Sequence, residues 1–336
     1  MTSDDSLVTS RDRRIGRILL NRPKALNALT LPMIRDCTRA LHDWAEDPHV
    51  HAVVIGGAGD RAFCAGGDIR ALRDARVSGD QAFVDSFFAE EYALNLLIAT
   101  YPKPCIALID GLCMGGGIGV SVHAPYRVAT EQAAFAMPET AIGFFPDIGA
   151  TFFLPRFPGE LGTYLGLTGT RMTGADAVHA GFATHFTPRA RLADATAALA
   201  RDGIAALAAF DETLPGFSLA PHRTAIDRCF AADTVAEIVA RLSEEDADWS
   251  RAALKALRAA SPSALHWTLR SLRRGRDLTL KQALEAEFAL TRTTMAHPDF
   301  TEGVRAMVVD KDRSPRWQPA RIEDVDPAAI DALFLG

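Results

Sequence analysis

The order of apolar and polar positions changes character along the chain. Up to about residue 190, short β-rich runs alternate with helical stretches. GRILLN (16–21), AVVIGG (52–57), CIALIDG (105–111), YRVAT (126–130) and AAFAM (133–137) are apolar runs ending in turn residues, the pattern of buried strands. Between the first two, TLPMIRDCTRALHDWAED (30–47) spaces Met33, Ile34, Cys37, Leu41 and Trp44 along one helical face. Thr30 fits its N-cap and Pro32 its first turn. Such alternation predicts an α/β core with helices laid against sheets. After residue 190, the segments 251–261, 262–275 and 278–297 carry helical periodicity and little reads as strand. In the last of them Leu280, Leu284 and Phe288 share one face, with Glu285 and Arg292 off it. The expected division is a core over 1–190 that carries the chemistry and an α-helical region over 191–336 for packing and self-association.

Composition narrows the class. The 336 residues are 48% hydrophobic and 23% charged, an ordinary globular balance. A net charge of -6 gives no support to a broad nucleic-acid surface, although Arg70, Arg73 and Arg76 offer a local contact for one phosphorylated ligand. Five cysteines without a C-x-x-C pair imply neither a disulfide framework nor a zinc ribbon. The N-terminal MTSDDSLVTS is acidic and polar, unlike a secretory or transit segment, and no apolar run reaches about 18 residues. A cytoplasmic protein without a membrane partner is expected.

Two glycine-rich stretches, FCAGGDIRAL (63–72) and GLCMGGGIGVSVH (111–123), follow strand-like runs. Neither has the spacing of a dinucleotide fingerprint or a phosphate loop. Tight packing explains either one alone, but as a pair at strand-to-helix junctions they suggest more. N–H groups at a helix start lack intrahelical partners, and glycine admits a ligand oxygen close to the backbone. Two such groups aimed at one point would stabilise charge developing on a carbonyl oxygen.

FAMPETAIGFFPDIG (135–149) sets Glu139 and Asp147 among apolar residues, with no cation in the stretch and a proline before each acid, Pro138 and Pro146. Burial disfavours an ionised carboxylate, so the placement needs a reason. A structural reason would be a helix cap or an ion pair with Arg127 or Arg156. A chemical one would be a tuned acid. Other candidates are weaker: no G-x-S-x-G is present, His49 and His51 read as surface, and His123 reads as a packed histidine. Cys64 and Cys113 read as small apolar fillers.

Taken in order, NRPKALNAL (21–29), AFCAGGDI (62–69) and GLCMGGGIG (111–119) resemble the enoyl-CoA hydratase/isomerase (crotonase) superfamily. The resemblance implies a crotonase-like spiral of ββα turns followed by an α-helical C-terminal region, whose helices mediate trimer contacts in that superfamily. It implies that the backbone N–H groups of Gly67 and Gly116 hold a thioester carbonyl oxygen. Lys24, Ala25, Leu26, Ala65 and Asp68 would line the CoA site. FFAEEYALN (87–95), the run 115–149, LTGTRMTGADAVHAGFATHF (167–186) and DFTEGVRAMVVDKDRSPRWQP (299–319) resemble a subgroup that hydrolyses short 3-hydroxyacyl-CoA thioesters.

Hydratases of the superfamily use two glutamates. Gly119 stands at the position of the first and Glu139 matches the second. Asp147 stands where the hydrolysing subgroup has its own acid, and Glu91 matches that subgroup's substrate-contact glutamate. The implied reaction is hydrolysis of a short 3-hydroxyacyl-CoA, with 3-hydroxyisobutyryl-CoA of valine breakdown as substrate. No metal or redox cofactor is implied, because CoA arrives as part of the substrate. The partners implied are the acyl-CoA and, through the helical region, further copies of the chain as a homo-oligomer; no nucleic acid is. The alternatives are enoyl-CoA hydration or isomerisation, and a non-catalytic structural subunit.

Overall fold

The computed structural model describes residues 6–334; the acidic start MTSDD lies outside the described residues. Strands β1 (Leu7–Asp12) and β2 (Ile15–Leu20) are followed by helix α1 (Leu31–Glu46) and strands β3 (Ala52–Gly57) and β4 (Ala62–Cys64). Helices α2 (Ile69–Ser78) and α3 (Gln81–Ala99) lead to β5 (Cys105–Ile109), β6 (Leu112–Met114), α4 (Gly116–Val122), β7 (Tyr126–Ala129) and β8 (Ala134–Ala136). Next come α5 (Ala150–Phe153), α6 (Leu161–Thr168), β9 (Met172–Thr173), α7 (Gly174–Ala180), β10 (His185–Phe186) and α8 (Arg189–Asp202). The rest is helical: α9 (Arg223–Phe230), α10 (Val235–Ser243), α11 (Asp248–Ala259), α12 (Pro262–Gly275), α13 (Leu280–Ala296), α14 (Pro298–Val304) and α15 (Pro327–Ala332).

These elements fall into two compact units that are interleaved in sequence. The first comprises the chain up to Asp68, Ala89–Ala136 and Arg171–Ser218. It holds every strand among the described residues, in a six-stranded sheet ordered β1-β2-β3-β5-β7-β10 and a four-stranded sheet ordered β4-β6-β8-β9. The central pairings β2–β3, β3–β5 and β5–β7 are parallel. Parallel strands are covered on both faces, which is why AVVIGG and CIALIDG read as continuous apolar runs. Side chains alternate across the sheet: Ile15, Ala52, Val54, Ile106 and Val128 cluster with Leu199, Ala200 and Leu207 from α8 and the turn after it. Helix α1 begins as its sequence predicts, the Thr30 hydroxyl accepting a hydrogen bond from the Met33 N–H.

The second unit comprises Ile69–Phe88, Met137–Thr170 and the chain from Leu219 onward, and it is helical. The division therefore does not follow a single cut at residue 190. Such a cut would sever α8 at its start, and α8 supplies the apolar cover of the six-stranded sheet. Residues 137–170, expected to belong with the strands, instead join the helices: Thr140 donates its hydroxyl to the Leu167 carbonyl and accepts the Ser261 N–H at its own carbonyl. No helix among the described residues is long and apolar enough to cross a membrane.

Candidate active site

In the first unit the NRPKALNAL stretch folds into a compact knot. Pro23–Ala25 form a 3₁₀ turn, and Leu26 and Asn27 take left-handed backbone conformations. The Asn27 amide donates to the carbonyls of Ala58 and Ala62 at 2.9 and 2.8 Å, and its oxygen accepts the Arg22 N–H at 2.9 Å. Arg22 reaches both the Ala28 carbonyl at 2.7 Å and Asp68 at 3.1 Å. Asp68 is thus in part a structural anchor. Lys24 and Ala25 are exposed, while Leu26 and Ala65 are half-buried and joined by a backbone bond from the Ala65 N–H to the Leu26 carbonyl.

Both glycine clusters sit where a short strand turns into a helix, β4 into α2 and β6 into α4. Leu29 and Gly67 form a parallel bridge in which Gly66 supplies the carbonyl and Asp68 the N–H, so the Gly67 N–H faces the opposite way. Gly116 is the first residue of α4, a position whose N–H has no intrahelical partner. A methyl group on Gly116 would lie 3.1 Å from Gly67 N, and one on Gly66 would lie 3.6 Å from Gly116 N. The two N–H-bearing segments therefore pass within a side chain's breadth of each other. A methyl on Gly116 would also run into Glu91 Oε1, which places the buried Glu91 carboxyl of α3 at this junction. Asn95, one helical turn further along α3, is fully buried too. Gly119 lies buried within α4 and brings no acid to this junction. Burial pushes up the Cys64 thiol, to about 12, and the Cys113 thiol further still, so both pack as small core residues.

In the second unit, Glu139 opens a 3₁₀ turn, Glu139–Ile142, set by Pro138 and closed by Gly143 at φ +71°. Its carboxyl-bearing residue is only 6% exposed. Gly143 has no room for a side chain because the Asp299 carbonyl occupies that space, and Gly303 of α14 abuts Ile142 for the same reason. Asp299 in turn accepts the Ser261 hydroxyl at 2.6 Å and the Gln318 N–H at 2.8 Å. The DFTEGV stretch is thus a buttress for the turn that carries Glu139. Phe144 packs against Phe88, Phe145 and Phe300, an apolar shelf directly after that turn. Arg156 does not serve as the ion-pair partner considered for these acids, since its guanidinium donates to the carbonyls of Phe152, Gly275, Arg276 and Leu278. In the first unit Arg127 likewise donates to the carbonyls of Ala124, Gly181 and Phe182. Arg70 and Arg76 cap the carbonyls of Val308, Met295 and Ala296, and Arg73 pairs with Asp74.

Asp147, 5% exposed, begins a turn whose carbonyl accepts the Ala150 N–H at 2.9 Å. Both central residues, Ile148 and Gly149, have positive φ, +55° and +86°. That is the signature of a mirror-image type I′ turn, and a β-branched residue there is strained by about 1–3 kcal/mol. Behind the turn lies Glu287 of α13, only 1% exposed. One of its oxygens accepts the Gly149 N–H at 2.7 Å and the other the Thr151 N–H at 2.8 Å. The sequence pattern did not bring Glu287 forward. The buried stripe of α13 runs through Ala283, Leu284, Glu287, Leu290 and Thr291, while Leu280 and Phe288 are only half-buried.

Burial, and then the Asp147 charge, raise the Glu287 carboxyl to about 8, against the pull of the two N–H donors. The same group titrates near 4.5 when solvated. Between those values the folded state holds a proton that the unfolded state has released, so stability falls as pH rises through that window. The expected slope is up to about 1.4 kcal/mol per pH unit. The Glu287→Gln protein should lack this dependence. Urea unfolding of both proteins at several pH values between about 5 and 8 checks it, and parallel stability curves would contradict it.

A family model described as Enoyl-CoA hydratase/isomerase matches residues 15–334. A chicken protein named 3-hydroxyisobutyryl-CoA hydrolase, mitochondrial, is 43% identical over 335 residues, covering 95% of this chain and 86% of its own length. The human protein of the same name is 45% identical over 331 residues with the same coverage. Among solved structures, one described as a carnitinyl-CoA dehydratase from Mycobacterium thermoresistibile superposes with a TM-score of 0.95 at 40% identity, covering 99% of this chain and 97% of that one. Another, described as an enoyl-CoA hydratase from Rhodobacter sphaeroides, gives 0.93 at 45% identity, covering 98% and 97%.

Proposed function

Since the chain belongs to the enoyl-CoA hydratase/isomerase family, we propose that it hydrolyses a short 3-hydroxyacyl-CoA thioester, namely 3-hydroxyisobutyryl-CoA, to the free acid and CoA. The reading rests above all on one pairing: Glu139 and Asp147 are both buried acids, whereas Gly119 leaves α4 without one. The names of the chicken and human relatives support it. In this reading the Gly67 and Gly116 N–H groups polarise the thioester carbonyl and hold the oxyanion that forms as it is attacked. Glu139 has two routes. It either draws a proton from a water that attacks the carbonyl carbon, or attacks that carbon itself to give an anhydride that water then cleaves. In both, the carbon–sulfur bond breaks, the thiolate leaves and takes a proton, and one water is consumed. A single turnover in oxygen-18 water separates the routes, because only the anhydride route can leave label in the Glu139 carboxyl. Asp147 orients the substrate hydroxyl or the water, and Glu91 contacts the acyl portion. The CoA moiety is assigned to the segments around Lys24–Leu26, Ala65 and Asp68.

A place in valine breakdown follows from that substrate. The chicken and human relatives are named mitochondrial, so they lend no support to the cytoplasmic placement expected from the N-terminus. Hydration is the second reading, favoured by the descriptions of the two solved structures. The Asp147→Asn protein tests the acid on which the hydrolytic reading relies. Thiol release from 3-hydroxyisobutyryl-CoA is expected to fall roughly a hundredfold with little change in KM, as for loss of a group acting in the transition state. An unchanged rate of thiol release would remove Asp147 from the mechanism.

A further inference from the structure

We propose that Glu287 is a positioning residue for the hydrolysis, clamping the Asp147–Thr151 turn from behind and so aiming the Asp147 carboxyl. The proposal rests on the hydrolytic reading given above. Its physical basis is the turn itself. A type I′ turn asks for positive φ at both central positions, and residues such as Asn and Gly adopt it without strain. Here the first of them is Ile148, whose branched side chain opposes that conformation. Within the turn the Asp147 carbonyl accepts the Ala150 N–H. Glu287 adds two more from outside, at 2.7 and 2.8 Å, one to each side of Ala150. A bidentate acceptor on Gly149 and Thr151 fixes both the position and the tilt of the segment. A strained conformation persists where the surroundings over-determine it.

The clamp is itself held rigidly. Glu287 lies on the buried stripe of α13, and Gly275, at the end of α12, has no room for a side chain because the Thr151 carbonyl fills that space. The other side of the segment is therefore closed as well. A fully buried carboxyl beside a second acid is costly unless it has a task.

Glutamine in place of Glu287 keeps the volume but offers one acceptor, and its amide nitrogen meets the other N–H donor-to-donor. The turn then relaxes toward the ordinary backbone of Ile148, and Asp147 loses its aim. Kinetics of Glu287→Gln, Asp147→Asn and the double variant test this as a cycle. The Glu287→Gln change should lower kcat about tenfold or more in the wild-type background, with KM changed less than about threefold, yet less than about twofold in the Asp147→Asn background. The same factor in both backgrounds, or no loss in either, would overturn the proposal. Wild-type protein that releases no thiol from 3-hydroxyacyl-CoA would overturn the hydrolytic reading instead, and the proposal with it. Should Glu287→Gln fail to fold, amide exchange in the wild type decides. Gly149 and Thr151 N–H groups protected to the level of α13 support the clamp, and exchange at exposed-loop rates refutes it.

Discussion

The Glu139→Gln protein is expected to bind CoA esters nearly as tightly as the wild type while releasing thiol roughly a hundred- to ten-thousand-fold more slowly. Glutamine preserves the volume at a buried position whose backbone is set by Pro138, closed by Gly143 and buttressed by Asp299 and Gly303. The contacts of Gly143 and Gly303 that hold this turn are made by backbone and do not change with the Glu139 side chain, so the fold and the ester-binding surface should survive. What disappears is an oxygen able to take a proton or attack a carbonyl carbon. Stopped-flow thiol release gives the rate, and equilibrium binding of a non-hydrolysable CoA thioether gives the affinity. A rate within about threefold of wild type would remove Glu139 from the chemistry.

Gly116→Ala should be nearly as damaging, for a reason that lies in the backbone. The added methyl would collide with Glu91 Oε1 and sit 3.1 Å from Gly67 N, so the two glycine segments must part. Losing one oxyanion donor costs about 3–4 kcal/mol of barrier, or roughly a hundred- to a thousandfold in kcat. Gly56→Ala is the matched control. That glycine lies in the parallel core strand β3, and a Cβ there meets nothing within 4 Å. Full activity in Gly116→Ala would show that the close approach of the two segments has no catalytic role. Equal loss in both variants would show that the damage is to the fold.

How much of this could be read in advance depended on the range of the signal. The strands β3, β5 and β7 match the apolar runs because both faces of a parallel sheet are buried, and α1 starts at Thr30 because its cap chemistry is local. Strands β4, β6, β9 and β10 are two or three residues long, too short for any alternation to show. Two of them carry the glycine clusters, so the junctions were legible from their glycines although the strands were not. Strand β1 begins within the polar N-terminal stretch and was not legible there, because an edge strand needs few apolar positions.

Glu139 and Asp147 stood out because each is an acid in an apolar run, a contrast visible within a few residues. Glu287 lacks such contrast. It lies two positions from Glu285 in the same helix, and only the three-dimensional stripe separates the buried acid from the exposed one. Its partner Gly149 is 138 positions away in sequence. The buttressing by Asp299, Ser261 and Gly303 is of the same kind, local chemistry whose purpose is set by distant contacts.

The central claim is that this member of the family cleaves a thioester rather than adding water to a double bond. One assay decides it: thiol release and loss of enoyl absorbance followed together, with 3-hydroxyisobutyryl-CoA, 3-hydroxypropionyl-CoA and crotonyl-CoA as substrates. The expected result is rapid thiol release from the 3-hydroxyacyl esters, with the two differing by no more than a methyl group is worth, about 1–3 kcal/mol. Crotonyl-CoA should keep its double bond. Hydration of crotonyl-CoA without release of thiol from any ester would contradict the account.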